Sequence, residues 1–195
     1  MKDKINNKKF IKLFIKKIMK PKNHPLEKFK YCPVCGNDGF KIDTFKSKKC
    51  DKCNFNYFYN SAGAVPVIIK DKEDNYLFVR RKYNPLKGTL DLPGGFIDFG
   101  ETAENCAVRE VKEETGIELE EKDLKYLFSV PNYYNYSDFV ITSIDIYFEA
   151  CVDSFKKGIA NDDVQELVIL KKDEIDVSKI GFEGIKKGVK KYFNI

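Results

Sequence analysis

Glu110, Glu113 and Glu114 stand at i, i+3 and i+4 in a stretch, residues 102–115, that contains neither Gly nor Pro. On a helix this spacing puts three carboxylates within one turn on one face. Like charges so close repel one another and call for a counter-charge. A hard divalent cation, Mg²⁺ or Mn²⁺, takes oxygen ligands of this kind, usually together with the phosphates of a substrate. A solvated acidic face balanced by Arg109 and Lys112 is the plainer alternative. The approach to the helix favours the cation. Pro93-Gly94-Gly95 lets backbone carbonyls come close to an ion, and Glu101, just before the helix, can pair with Arg109 and fix the loop.

Other elements have to hold these groups. Ala103, Ala107 and Val111 recur every fourth residue, so the helix has an apolar stripe to lay on a sheet, and Gly116 can cap its end. Strands are expected at 64–69 and 76–80, joined by a turn at 70–75. A short strand at 89–92 delivers the chain into the glycine loop. Further strands are expected at 124–130, 139–150 and 164–170, with a second helix at about 182–193. Strands interleaved with two helices predict an α/β/α sandwich around a mixed sheet. Arg80 and Arg81 end the strand that enters the site and are candidate phosphate ligands. Tyr133 and Tyr134, with Tyr136, lie in an aromatic loop (131–136) expected between two strands, where rings can stack on a base.

A second constellation is made of thiols. Cys32-Pro-Val-Cys35 and Cys50-Asp-Lys-Cys53 are separated by fourteen residues. Two such knuckles can converge four thiolates into a closed tetrahedral zinc site. Disulfides and a redox pair are the alternatives. The first sit poorly with a chain lacking an export signal, and the second lacks the strand–helix context such motifs need. A segment of ~30 residues buries too little to stand alone, so zinc would supply much of its folding energy. Cys106 and Cys151 are read as buried thiols, and the single histidine, His24, as a solvent-facing linker residue with no role.

The chain has 195 residues with 33% charged, a mean hydropathy of -0.44 and a net charge of +5. Nine Lys and one Asp give residues 1–22 a charge of +8, which leaves -3 for the rest. The basicity belongs to the tail. There Phe10, Phe14 and Ile18 recur at i+4 beside Ile11 and Ile15, as in an amphipathic basic helix. Its apolar face is read as packing on the chain's own core or on a second copy, a homodimer, ahead of RNA or a membrane surface. Lysines interrupt its apolar part and no small-residue cleavage site follows, so a cytoplasmic location is expected. No run approaches the ~18 apolar residues of a membrane span. The expected organisation is a basic helix and linker at 1–29, a zinc ribbon at 30–59 and a main domain at 60–195.

The pattern Gly95, five residues, Glu101, seven residues, Arg109-Glu110-Val111, one residue, Glu113-Glu114, one residue, Gly116-Ile117 is similar to the Nudix box and fills every defined position. The resemblance implies the Nudix fold and a hydrolase for nucleoside diphosphates linked to another moiety. It implies Glu110, Glu113 and Glu114 as cation ligands, joined by the Gly94 carbonyl, with Glu101 and Arg109 holding the architecture. A later acidic residue is implied as base or ligand, and Asp162, Asp163 and Glu166 occupy the plausible stretch. A zinc ribbon before a Nudix domain resembles the NADH pyrophosphatases. Their signature after the box is kept here only in Ser129, Pro131 and Ser137. Pro131 is similar in placement to ADP-ribose pyrophosphatases and Tyr133 to dinucleoside polyphosphate hydrolases. The expected substrate is of the NADH or ADP-ribose type. The alternatives are a house-cleaning triphosphate pyrophosphatase and a zinc-ribbon regulator that senses a nucleotide without cleaving it; such regulators lose box carboxylates, and this box is complete.

Overall fold

A computed structural model describes residues 24–136 and 139–195, which fall into two compact units divided between Asn60 and Ser61. The basic helix expected in the first 23 residues lies outside the described residues.

The smaller unit is a three-stranded antiparallel sheet, β1 (Phe40–Thr44), β2 (Ser47–Cys50) and β3 (Asn56–Phe58), in the order β1-β2-β3. Its core is small: Phe40, Cys32 and Cys50 are buried, with Cys35 and Phe55 packed against them. His24, expected to face solvent, is half-buried. Its Nδ1 accepts from the Leu26 N–H at 3.1 Å, so Nε2 carries the proton and donates to the Thr44 carbonyl at 2.9 Å.

The larger unit is a mixed sheet between two helices. Its strands are β4 (Ala62–Asp71), β5 (Asn75–Arg81), β6 (Leu90–Asp91), β7 (Gly94–Phe96), β8 (Lys125–Tyr136), β9 (Phe139–Val152) and β10 (Val164–Lys171). The order is β10-β5-β4-β9-β8, with β6 on β5 and β7 on β4. Among these strand pairings, β4–β9 alone is parallel. The helices are α1 (Ala103–Thr115) and α2 (Glu183–Phe193). β4 is apolar on both faces because both are covered. Val65, Val67 and Ile69 pack with Cys106, Ala107 and Val111 of α1, while Ile68 packs with Ile185, Val189 and Phe193 in the α2 core.

Two expectations need correction. The aromatic stretch 131–136 is not a loop but the far half of β8, paired residue for residue with β9 (Pro131↔Ile144, Tyr133↔Thr142). Pro131 is tolerated because β8 is an edge strand of this sheet. Cys106 is buried as expected, but Cys151 on β9 is exposed.

Candidate functional site

α1 is fixed at both ends. The Thr102 side chain accepts from the Asn105 N–H at 3.1 Å, and Gly116 (φ 67°) closes the other end with its N–H on the Lys112 carbonyl at 2.9 Å. Along the helix, Arg109 organises the acids. Its Nε and Nη2 reach Glu101 at 2.6 and 2.9 Å, and Nη1 reaches Glu110 at 2.8 Å and Glu113 at 3.0 Å. The bidentate bond from Arg109, helped by the Asp98 N–H, holds the Glu101 carboxyl down at about 2.

Two glycines of β7 bring the backbone against these acids. Gly94 donates its N–H to Glu114 Oε2 at 3.0 Å, so the described contact of Gly94 with the acids runs through its amide. It sits at φ 140°, and a Cβ there would fall 2.0 Å from the Val65 carbonyl oxygen. A Cβ on Gly95 would fall 2.2 Å from Glu110 Oε1. Burial pushes Glu114 well above the usual carboxylate range despite the Gly94 bond, and nearby Asp163 and Asp91 add to the effect. Burial also raises Glu110, against the pull of Arg109. Glu113 remains half-exposed.

A cavity of about 220 Å³ is bordered by the same glycines. Ala64, Pro66, Gly94 and Gly95 form its floor, and Phe96, Tyr134 and Phe182 line its wall. The Tyr134 ring lies 6.0 Å from Phe96 at 85° and 5.3 Å from Phe182 at 40°. Arg81 also borders the cavity. It donates to Asp91 at 3.1 Å and to the Pro85 carbonyl at 3.0 Å, and its guanidinium lies 4.8 Å from the Phe182 ring centre. Burial pushes Asp91 up to about 6, although Arg81 pulls it down.

Of the four residues expected to bind substrate, the structure brings Arg81 and Tyr134 to the cavity. Arg80 is turned to Glu166 (2.5 Å) and the Gly88 carbonyl (2.9 Å), and Tyr133 falls on the opposite face of β8 from Tyr134. Among the three later acids, Asp163 borders the cavity and comes within reach of Glu114, Glu166 holds Arg80, and Asp162 offers its carbonyl to Lys82 at 3.2 Å. Sequence reasoning did not single out Asp91, Asn132, Ser143, Asp145 or Phe182, all of which line the cavity. The one available signal was polar residues at inward positions of apolar strands, as in Leu90-Asp91-Leu92.

In the smaller unit the two thiol knuckles are built alike. The Cys32 carbonyl accepts from Gly36 N–H at 2.9 Å and the Cys50 carbonyl from Asn54 N–H at 3.1 Å, with Gly36 and Asn54 at φ 69° and 59°. All four sulfurs lie within 4.8 Å of one another, with Cys32–Cys53 and Cys35–Cys50 each at 3.7 Å. A tetrahedron with Zn–S bonds of ~2.3 Å has edges of ~3.8 Å. The donor set therefore fits zinc. Among the described residues these cysteines are free, and theirs is the one group of three or more potential metal ligands converged so closely.

The NUDIX domain family matches residues 60–191. The chain belongs to the Nudix family. An ADP-ribose pyrophosphatase of Methanocaldococcus jannaschii is 44% identical over 85 residues, covering 44% of this chain and 50% of that protein. An NAD-capped RNA hydrolase NudC of Photobacterium profundum is 32% identical over 109 residues, covering 56% of this chain and 40% of that one. The matched segment thus spans half or less of these relatives. In fold, a NUDIX hydrolase crystal structure from Nitrosomonas europaea superposes with a TM-score of 0.62 at 23% identity, covering 85% of this chain and 90% of that one. Within this Nudix domain the box residues are those on α1 and its approach.

Proposed function

We propose that this chain is a divalent-cation-dependent pyrophosphohydrolase acting on a nucleoside diphosphate linked to another moiety, of the ADP-ribose or NADH type. The observation that carries it is the double use of two glycines. Gly94 and Gly95 border a ring-lined cavity and at the same time touch Glu114 and Glu110 of α1. A diphosphate laid over them is within reach of the acids while its nucleoside enters the cavity. The names of the two curated relatives, an ADP-ribose pyrophosphatase and an NAD-capped RNA hydrolase, agree with such a substrate.

The residues fit a divalent cation. Asp91, Glu110 and Glu114 are pushed upward mainly by burial, and Asp163 adds a fourth acid. Arg81 and Arg109 are the cations paired with this group among the described residues, so the site is short of positive charge. Glu110, Glu113 and Glu114 would hold the metal. When bound, it would neutralise the phosphates and ease attack by water on phosphorus. Arg109 keeps Glu110 and Glu113 aimed, and Glu101 anchors Arg109. Pro85 and Asp91 use two of the five N–H donors of Arg81, leaving others for a phosphate oxygen. Asp163, beside Glu114, is the candidate to take a proton from the attacking water. Cys32, Cys35, Cys50 and Cys53 would hold a structural Zn²⁺, with no ligand position left open for catalysis.

The test is a kcat/KM panel with Mg²⁺ and Mn²⁺ covering ADP-ribose, NADH, NAD⁺, diadenosine polyphosphates, nucleoside triphosphates and NAD-capped RNA. ADP-ribose or NADH is expected to lead, with AMP released. A triphosphate ahead by about tenfold, roughly 1.4 kcal/mol in barrier, would make the chain a house-cleaning enzyme instead. No turnover, with one panel member raising the melting temperature, would make it a sensor.

A further inference from the structure

Three polar side chains meet on the α2 side of the cavity. Asp145, on β9, is 2% exposed. Its Oδ1 accepts from the Ser143 hydroxyl at 2.7 Å and its Oδ2 from the Asn132 amide at 2.9 Å. Ser143 is equally buried, and all three residues line the cavity. Among the described residues no Lys, Arg or His pairs with Asp145. A carboxylate taken out of water without a cation is costly, and apolar residues would fill this corner of the cavity without that cost. The fold instead spends a serine and an asparagine on orienting it.

The helix above is shaped around the same pair. A Cβ on Gly184, in the first turn of α2, would fall 2.3 Å from the Asn132 side chain and 2.6 Å from Asp145 Oδ2. The helix start is bare where the two side chains lie. Register gives the distance to the phosphate end. Asp145 and Phe96 are both opposite Ala64, on either side of β4, so their backbones stand about two strand spacings, ~10 Å, apart. A nucleoside bridges that gap from a diphosphate on Gly94-Gly95. At about 220 Å³ the cavity is below the ~300–1,000 Å³ of pockets for drug-sized ligands and suits one ring system.

Both oxygens of Asp145 already accept a hydrogen bond, and an ionised carboxylate has further lone pairs but no proton to give. It can therefore read only a donor. We propose that Asp145, oriented by Ser143 and Asn132, is the specificity-determining acceptor for the amino group of an adenine ring, so that the chain selects 6-amino over 6-oxo purine nucleotides. The inference rests on the diphosphate-hydrolase reading of the same cavity, and its test is arranged to fail separately.

AMP and IMP share every group except the purine edge that Asp145 would face. Their dissociation constants, measured by calorimetry on the full chain, are expected to favour AMP by about tenfold or more, since a polar site rejects a ligand that leaves its groups unpaired. Asp145→Asn offers an amide that donates as well as accepts, and should bring the ratio below about threefold or invert it. Ser143→Ala keeps the carboxylate but frees one oxygen, and should give an intermediate ratio; it carries the test if melting curves show that Asp145→Asn does not fold. Equal wild-type affinities, absence of AMP binding, or a ratio unchanged in the variants that fold would each overturn the proposal. Hydrolysis of ADP-ribose and its hypoxanthine analogue separates the two claims. If both are cut equally, the hydrolase reading stands and the base reading falls. If neither is cut but the AMP/IMP ratio depends on Asp145, the base reading stands alone.

Discussion

Gly188, in the middle of α2, is where the packing of the domain and the shape of its cavity can be disturbed together. Ordinarily Gly→Ala inside a helix stabilises by about 1 kcal/mol. Here a Cβ would fall 2.1 Å from Cζ and 2.2 Å from the hydroxyl oxygen of Tyr147, against the 3.4–4 Å of ordinary contact. The ring has nowhere to go. Tyr147 is fully buried, lies 4.9 Å from the Phe128 ring and donates its hydroxyl to the Gly184 carbonyl at 3.0 Å. Overpacking of this kind costs ~1–3 kcal/mol, occasionally more, and a strained tyrosine bond adds about 1 kcal/mol.

Gly188→Ala is therefore expected to destabilise by about 1–3 kcal/mol net, and to lower Tm by roughly 3–10 °C for a chain of this size. Because α2 and its N-cap carry Ile185 and Phe182 of the cavity, lifting the helix should raise KM more than it lowers kcat. Thermal unfolding by circular dichroism reads the first effect and steady-state kinetics the second. The same substitution in a Tyr147→Leu background removes the obstacle and should turn stabilising. A Tm for Gly188→Ala equal to or above the parent's would refute the reasoning, because propensity would then have outweighed the clash.

Gly95→Ala should behave differently: the atoms nearest its Cβ belong to the flexible end of Glu110, so Tm should fall less than for Gly188→Ala while hydrolysis drops by orders of magnitude. Glu114→Gln should abolish cation-dependent turnover yet raise the Tm of the metal-free protein near neutral pH, since it removes a buried charge and keeps an acceptor for the Gly94 amide; equal Tm values would contradict that account. Asp91, Glu110 and Glu114 all have folded values above their ordinary ones, so the stability they contribute is present below about pH 4 and lost as pH rises through about 6 and beyond; metal-free melting curves from pH 4 to 7.5 should show the decline, and Mg²⁺ should reduce it. One Zn²⁺ per chain is expected by metal analysis, and Cys32→Ser should loosen the ribbon, seen as faster amide exchange there, with kcat/KM at the Nudix site changed less than threefold, about 0.7 kcal/mol.

The parts of the site legible in the sequence are those with local rules. Thr102 and Gly116 bound α1, the four-residue stripe of Ala103, Ala107 and Val111 faces it to the sheet, and the spacing of Glu110, Glu113 and Glu114 then follows from helical geometry. The cysteine knuckles are equally local, each closed by its own left-handed residue four positions after its first cysteine. The polar cluster on the α2 side of the cavity obeys no such rule. Asn132, Ser143 and Asp145 meet because β8 and β9 pair in one register, and that register shifts at an irregularity between Tyr126 and Phe128. A single shifted residue exchanges the two faces of a strand, so alternation along 124–136 could not say whether Tyr133 or Tyr134 faces inward. The distinction between Arg80 and Arg81 was lost for a related reason, since it depends on Glu166 and Asp91 arriving on neighbouring strands.

Two different environments meet at the glycines of β7. On the α1 side, acids are crowded where repulsion and burial make them receptive to a cation; on the α2 side, rings and the oriented Asp145 carboxylate face a small cavity that Asp91 and Asp163 also border. Two positions of β7 between them are glycines, where a Cβ would fall against the Val65 carbonyl at one and against the Glu110 carboxylate at the other. On the proposed reading, chemistry at Glu114 and recognition at Asp145 can be altered separately. That separation makes a strong demand: substitutions at Asp145 should change which base is accepted while leaving the cation requirement intact, and substitutions at Glu114 should do the reverse. A variant at either position that changed both would mean that the two halves of the site act as one.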